Sequence, residues 1–293
     1  MQYRSKPYTI FTIFNNFLLV FLALICILPL IHTFAVSFSS AWAASAAVVK
    51  FWPVDFTADS YKETLTNSNF LRALSIGLLR TGTAAVVAMT TMLLAAYALS
   101  KEEREFRGRT FYMWFFVFTM LMSAGLVPNY ILIQRLGLMN KIWALVLPNA
   151  VTVFFLILLL NFFRVNVPRA LMEAAYIDGA DHFTTLIKVY LPIAIPSIAT
   201  VTLFVMVNNW NAWFDGLIYM TNPRNYPMST FLYTVVVQGD MSRLSLDVED
   251  ILVLSNRTLK ASQVFIGMMP ILLVYPFMQR FFVTGIVMGS VKE

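Results

Sequence analysis

Ile10-Phe-Thr-Ile-Phe-Asn-Asn-Phe-Leu-Leu-Val-Phe-Leu-Ala-Leu-Ile-Cys-Ile-Leu-Pro-Leu-Ile-His-Thr-Phe-Ala-Val36 contains no Asp, Glu, Lys or Arg. Crossing the hydrocarbon core of a bilayer takes about 20 mostly apolar residues per helix, and this run is longer. It also exceeds the roughly 7–15 apolar residues of a secretory signal core. Ala41, Ala43 and Ala44 follow too long a run to mark a cleavage site, so the segment reads as a retained span. Five further stretches have the same character: 70–99, 110–134, 142–163, 192–215 and 262–286. Pro29, Pro128, Pro148, Pro196 and Pro270 fall inside these spans. Spanning helices tolerate proline because neighbouring helices and waters satisfy the backbone groups it frees.

Composition supports the same class. The 293 residues are 59% hydrophobic, 15% aromatic and only 12% charged. Ordinary soluble domains carry about 25% charged residues. The predicted fold class is thus an all-α membrane protein with six transmembrane helices in a single domain over 1–293. Basic residues in short loops set the orientation. Arg4 and Lys6, then Lys101, Arg104, Arg107 and Arg109, then Arg164, Arg169 and Lys188, mark one side. The other side holds Lys50, Lys62, Arg135, Lys141 and four more over a long loop. Both termini are expected in the cytoplasm. The net charge of +6 reads as topology and headgroup contact, not as a nucleic-acid surface.

Several chemistries have no sequence support. Cys26 is the only cysteine, so no internal disulfide can form; it reads as a small packing residue in the first span. There is no G-x-x-x-x-G-K-[ST] phosphate loop, no H-E-x-x-H and no G-x-S-x-G. His32 and His182 are too far apart in sequence to make that zinc pair. A proton-coupled carrier places Asp, Glu or His inside its spans. Asp215, at the end of the fifth stretch, is the nearest candidate. Arg72 and Arg80 fall in the second span, the first able to snorkel, the second deep enough to need a partner or water.

Two outer loops are long. Residues 37–69, with Trp42, Trp52 and Pro53, read as interfacial. Residues 216–261 carry Pro223, Pro227 and the acidic cluster Asp247, Glu249 and Asp250. The second fits either contact with a soluble partner or a passive surface.

The cytoplasmic loop 164–191 contains Asn166-Val-Pro-Arg-Ala-Leu-Met-Glu-Ala-Ala-Tyr-Ile-Asp-Gly-Ala-Asp-His-Phe183. Pro168 suits the first turn of a helix. Good helix formers follow from Ala170 to Ala175. Leu171, Ala174, Ala175 and Asp178 share a face at three-to-four spacing, and the alanines let a partner come close. Gly179 can adopt a positive φ and end the helix. A second short amphipathic stretch carries Phe183, Leu186, Ile187 and Tyr190. Docking onto another protein and lying flat on the membrane both fit these residues.

Glu173-Ala174-Ala175 with Asp178-Gly179-Ala180, then Ile187 and Leu191-Pro192, resembles the EAA loop of ABC importer permeases. Trp210-Asn-Ala-Trp-Phe214 is similar to the end of span five in sugar permeases. Ser255-Asn-Arg-Thr-Leu-Lys260, Pro270-Ile-Leu-Leu-Val-Tyr-Pro-Phe277 and Gly289-Ser-Val-Lys-Glu293 resemble the C-terminal signature of carbohydrate importers. The resemblance extends over essentially the whole chain. It implies the type I importer permease architecture, in a bacterial cytoplasmic (inner) membrane, and a non-catalytic subunit. The implied cargo is a carbohydrate, such as an alginate fragment or another oligosaccharide. It implies a coupling helix over 169–181, with Arg169, Leu171, Met172, Glu173, Ala174, Ala175, Asp178, Gly179 and Ala180 facing an ATPase. The implied partners are a second permease, two ATP-binding subunits that hold ATP and Mg, and an external solute-binding protein.

For the substrate path, Asn208, Asn211 and Asp215 share one helical face, with Asn209, Trp210, Trp213 and Phe214 beside them. Amides bond sugar hydroxyls, and aromatic faces pack on sugar rings. Pore lining, interhelical hydrogen bonding and an interfacial belt all remain consistent with this pattern. Asn129, Tyr130 and Gln134 are further candidates. A uronate cargo would need cations, and the outer half offers chiefly Arg135 and Arg72.

Overall fold

The computed structural model describes residues 6–238 and 256–290. Among them every regular element is helical. They form two compact units, one from residues 6–71, 234–238 and 256–268, the other from residues 72–233 and 269–290. Asp247, Glu249 and Asp250, together with Arg4, Ser255 and the last three residues, lie outside the described residues.

In the first unit, α1 (Lys6–Ser37) is apolar on every side and exposed within the chain until its last turns. A helix of that kind belongs in lipid or against another membrane helix. Cys26 is accordingly exposed on α1 and not packed in a core. The connection after it is folded, not slack. Ser40 caps α2 (Ala41–Ser45) by accepting from the Ala43 amide. Ser60, on α3 (Asp59–Thr66), donates to the Ser37 carbonyl at 2.6 Å. Phe38 stacks between Phe56 and Tyr61. Trp42 and Trp52 stay exposed, as an interfacial reading requires.

Ala35, Val36, Ala43, Ala44, Val49 and Ala261 make a small core where this connection meets the start of the last helix, Asn256–Ser290. Thr64 and Ser262 share a hydroxyl–hydroxyl bond of 2.7 Å there, and Arg257 donates to the Ala44 carbonyl.

The second unit is built on α4 (Ser68–Ser100), α8 (Val153–Asn166) and α11 (Leu191–Asn211). Ala88, Met92 and Ala96 of α4 meet Leu156, Leu159 and Phe163 of α8, and Ala194, Val201 and Val205 of α11. Alanine at such contacts lets helix backbones approach, which is what drives association in lipid.

Two expected spans are broken. Residues 110–134 form α5 (Arg109–Leu121) and α6 (Leu126–Arg135), bent by 114°. Gly125, at φ +83°, supplies a backbone that most residues avoid. Residues 142–163 form α7 (Trp143–Val146) with a 3₁₀ turn at Leu147–Asn149, then α8, bent by 51°. Pro148 in that turn cannot donate to a helical ladder.

The expected span 192–215 also ends early. α11 stops at Asn211, because Ala212 is extended. The chain then makes α12 (Phe214–Tyr219) and, beyond a 3₁₀ turn, α13 (Met228–Tyr233). Ser229 and Thr230 of α13 donate to the Ala212 and Trp213 carbonyls freed at the break. Residues 216–233, the first part of the long loop, are therefore folded back onto the unit.

Gly216 is needed for that return. A Cβ there would overlap Thr230 Oγ1 and come within 3.1 Å of Pro227 Cδ. Gly216→Ala is expected to cost about 1–3 kcal/mol, the range for overpacking. Thermal unfolding in detergent would read this, and an unchanged Tm would show that α13 moves aside freely.

Candidate functional site

The segment 164–191 forms a helix, a turn and a second helix. Pro168 stands at the N-cap of α9 (Arg169–Ile177), one position before the expected first turn. The helix ends in a closed turn. The Gly179 amide donates to the Tyr176 carbonyl at 3.1 Å and the Ala180 amide to the Ala175 carbonyl at 2.9 Å. This is the Schellman pairing, which requires Gly179 to sit at φ +78°. Asp181 then caps α10 (His182–Thr185) by accepting from the Thr184 amide at 2.8 Å. Bonds from Thr184 hold the Asp181 carboxyl below the ordinary carboxylate range.

A π-helical stretch, Leu186–Tyr190, joins α10 to α11. The side chains of α10 and this stretch split: Leu186 and Tyr190 are buried, while Phe183 and Ile187 are exposed.

Leu171, Glu173, Ala174, Asp178 and Gly179 lie bare on α9 and its turn, whereas Ala175 and Ala180 are half-buried. Met172 is a correction to the expected docking surface. It turns inward, 7% exposed, against Lys101 and Tyr190. The reason is helical phase: Met172 and Tyr176, four apart, form the face that packs on the rest of the unit. Arg169 is held at the surface by two bonds to Glu102, of 2.6 and 2.9 Å, and lies 3.4 Å from Glu173. The end of α4 is closed by two more basic residues. The Leu99 carbonyl accepts from Arg109 Nε and Arg164 Nη2, at 3.0 and 2.9 Å. Cations suit the negative end of a helix.

The polar residues near the end of α11 are arranged differently from the expected stripe. Asp215 does not continue the face of Asn208 and Asn211, because the helix breaks before it. It pairs with Arg80 of α4 through both guanidinium nitrogens Nη1 and Nη2. Nη1 also donates to the Ala212 carbonyl at 2.9 Å. Arg80 is 1% exposed, so this is a buried ion pair that also caps the broken end of α11.

A cavity of about 230 Å³ opens beside it, lined by Arg80, Asn149, Thr152, Asn208, Asn209 and Ala212, among others. Asn209 thus shares the cavity with Asn208, and Asn211 does not. Trp210 faces the other way, into an apolar pocket with Leu78, Leu203, Met206 and Pro270. Trp213 stacks on Tyr233 at 3.9 Å. Asn129 is exposed on α6, and Tyr130 packs toward Tyr219 in a separate cluster. Asn129 and Tyr130 do not line the Asn208 cavity.

Asn149 and Thr152 were not expected at this cavity. The signal for them was Pro148, which breaks the expected span beside them. No cluster of His, Cys, Asp and Glu fit for a metal ion occurs among the described residues.

Known proteins place this architecture. Residues 98–288 match the family model described as binding-protein-dependent transport system inner membrane component. The polygalacturonan/rhamnogalacturonan transport system permease protein YtcP of Bacillus subtilis (strain 168) is 36% identical over 282 residues, which are 94% of this chain and 96% of that one. Protein LplC of the same organism is 33% identical over 291 residues, 99% and 98% of the two chains. A chain in the crystal structure of a bacterial ABC transporter involved in the import of the acidic polysaccharide alginate superposes with a TM-score of 0.85. It is 29% identical and covers 96% of this chain and 100% of its own. Fold, motif and match agree that the chain belongs to the family of binding-protein-dependent transport system inner membrane components.

Proposed function

We propose that this chain is one of two permease subunits of an ATP-driven importer for oligosaccharides of acidic polysaccharides, alginate fragments among them. The observation that carries the coupling half of this reading is the bare Leu171–Ala174–Asp178 strip of α9, ended by the Gly179 turn. That strip is short, firmly capped and lined by a small residue, which suits insertion into a groove of a partner. The chain has no phosphate loop of its own, so ATP and Mg would be bound by two separate ATPase subunits on the cytoplasmic side. ATP binding would draw those subunits together, move α9, and turn the cavity from inward-facing to outward-facing. An external binding protein would deliver the sugar. Loop 216–261 is the candidate surface for that delivery.

The cargo half rests on the relatives, whose names specify polygalacturonan, rhamnogalacturonan and alginate. In this chain the cavity offers amides from Asn149, Asn208 and Asn209 for sugar hydroxyls. Among the described residues its one lining cation, Arg80, is already matched by Asp215. Selection for acidic sugars therefore falls to the second permease or to the binding protein. The pathway expected at Asn129, Tyr130, Asn211 and Trp213 would be an outer approach to this cavity.

The test is uptake by the assembled complex in liposomes, with binding protein outside and ATP inside. Acidic oligosaccharides are expected to enter at least tenfold faster than neutral ones of equal length. Equal rates would remove the acidic cargo, and a purified chain that never retains an ATPase would remove the coupling role.

A further inference from the structure

Lys101 follows the last residue of α4 and is 5% exposed. Among the described residues no carboxylate lies in salt-bridge reach of its ammonium. Three tyrosine rings surround it instead, with Tyr97 at 4.3 Å, Tyr190 at 5.0 Å and Tyr176 at 5.4 Å from Nζ to ring centre. Nζ also donates to Met172 Sδ at 2.9 Å and to Tyr176 Oη at 3.1 Å. His182 Nδ1 closes the cage from the far side, 3.0 Å from Tyr176 Oη and 3.3 Å from Tyr97 Oη. Aromatic faces attract a desolvated cation through their quadrupoles. The rings come from α4, from α9 and from the π-helical stretch before α11, so one side chain ties three segments together.

The next residue, Glu102, grips Arg169 in the first turn of α9 from outside. Lys101 grips Met172 and Tyr176 from inside. The pair thus clamps α9 onto the end of α4 at two successive turns. From Ser100, the residue before Lys101, back to Arg80 is one uninterrupted helix, about 30 Å at 1.5 Å per residue. Arg80 is the residue that holds the Asn208 cavity wall and the broken end of α11.

We propose that Lys101 is a positioning residue for energy coupling: its tyrosine cage fixes α9 to α4, so that displacement of α9 reaches Arg80 through α4 as a rigid rod. This rests on the docking role given to α9 above. Without the cage, the exposed Arg169–Glu102 pair would be the remaining ion pair between α9 and the end of α4 among the described residues. An exposed pair of that kind is weak on its own.

The experiment uses the whole complex in liposomes and measures three things: ATPase subunits retained, ATP hydrolysed, and sugar imported per ATP. Wild-type retention is read first, and its absence would fault the docking role and not the cage. Lys101→Met fills the same volume without the charge. It is expected to retain the ATPases and to import at least tenfold less sugar per ATP, with Lys101→Arg recovering most of the loss. Wild-type import per ATP in Lys101→Met would overturn the proposal. If Lys101→Met fails to assemble, amide exchange in the full chain in detergent decides. Exchange at least tenfold faster across α9, with α8 unchanged, supports the cage, and unaltered α9 protection overturns it.

Discussion

Arg80→Ala is expected to destabilise the purified chain by about 3–5 kcal/mol, the range for removing one partner of a buried ion pair. Two losses coincide. The Asp215 carboxylate is left without its counter-ion, and the Ala212 carbonyl at the broken end of α11 loses one of two donors, keeping Ser229. The cost is largest in a site that water reaches poorly, and Arg80 is almost wholly enclosed. Arg80→Met with Asp215→Leu together should recover much of the loss, because a packed apolar pair can replace a buried ion pair at little cost. Thermal unfolding in detergent reads both variants. A single variant melting like the wild type would mean that the pair is not formed in the folded chain.

Gly179→Asp is expected to lower transport at least tenfold while costing the isolated chain only about 1–3 kcal/mol. That smaller figure is the strain of a side chain at positive φ. The two effects separate because, beyond its chain neighbours, no heavy atom of the described residues lies within 4 Å of where a Cβ would stand. The position is open around that Cβ, so a larger loss points to contact with a partner. Glu173→Ala makes the complementary case. Its carboxylate is mostly exposed, and among the described residues its ion-pair partner is Arg169, which Glu102 already holds. A drop in ATPase retention on that substitution, with the Tm of the chain unmoved, would mark Glu173 as a docking contact. Wild-type uptake by both variants would end that assignment.

These effects sit at residues whose signals differ in reach. Helix α9 was legible because its cues are local: a proline before it, helix formers along it and a glycine after it. The first span was legible for the same reason, being uncharged from Ile10 to Val36. Hydropathy gave the third and fourth stretches as apolar but is blind to a bend. Met122 to Gly125 is a four-residue break that changes direction without changing composition. The polar stripe failed at Ala212. Spacing relates Asn211 to Asp215 only if the helix continues, and Asp215 is captured by a partner 135 residues away. Lys101 was read as a topology charge, since its cage is drawn from residues 97, 176 and 190, which no local pattern connects.

The break between α5 and α6 has a consequence for biogenesis. Thirteen helical residues reach about 20 Å, against a hydrocarbon core of about 30 Å. As it leaves the ribosome, α5 is too short to be taken up as a complete span by itself. Met113 and Phe116 of α5 pack against the core shared by α4, α8 and α11, two of which are synthesised later. The segment therefore has to wait, in the insertion machinery or at the lipid surface, until α8 arrives to receive it. Truncated chains released before Asn166 should leave α5 accessible to aqueous thiol reagents at an introduced cysteine, and chains extended past Asn211 should protect it.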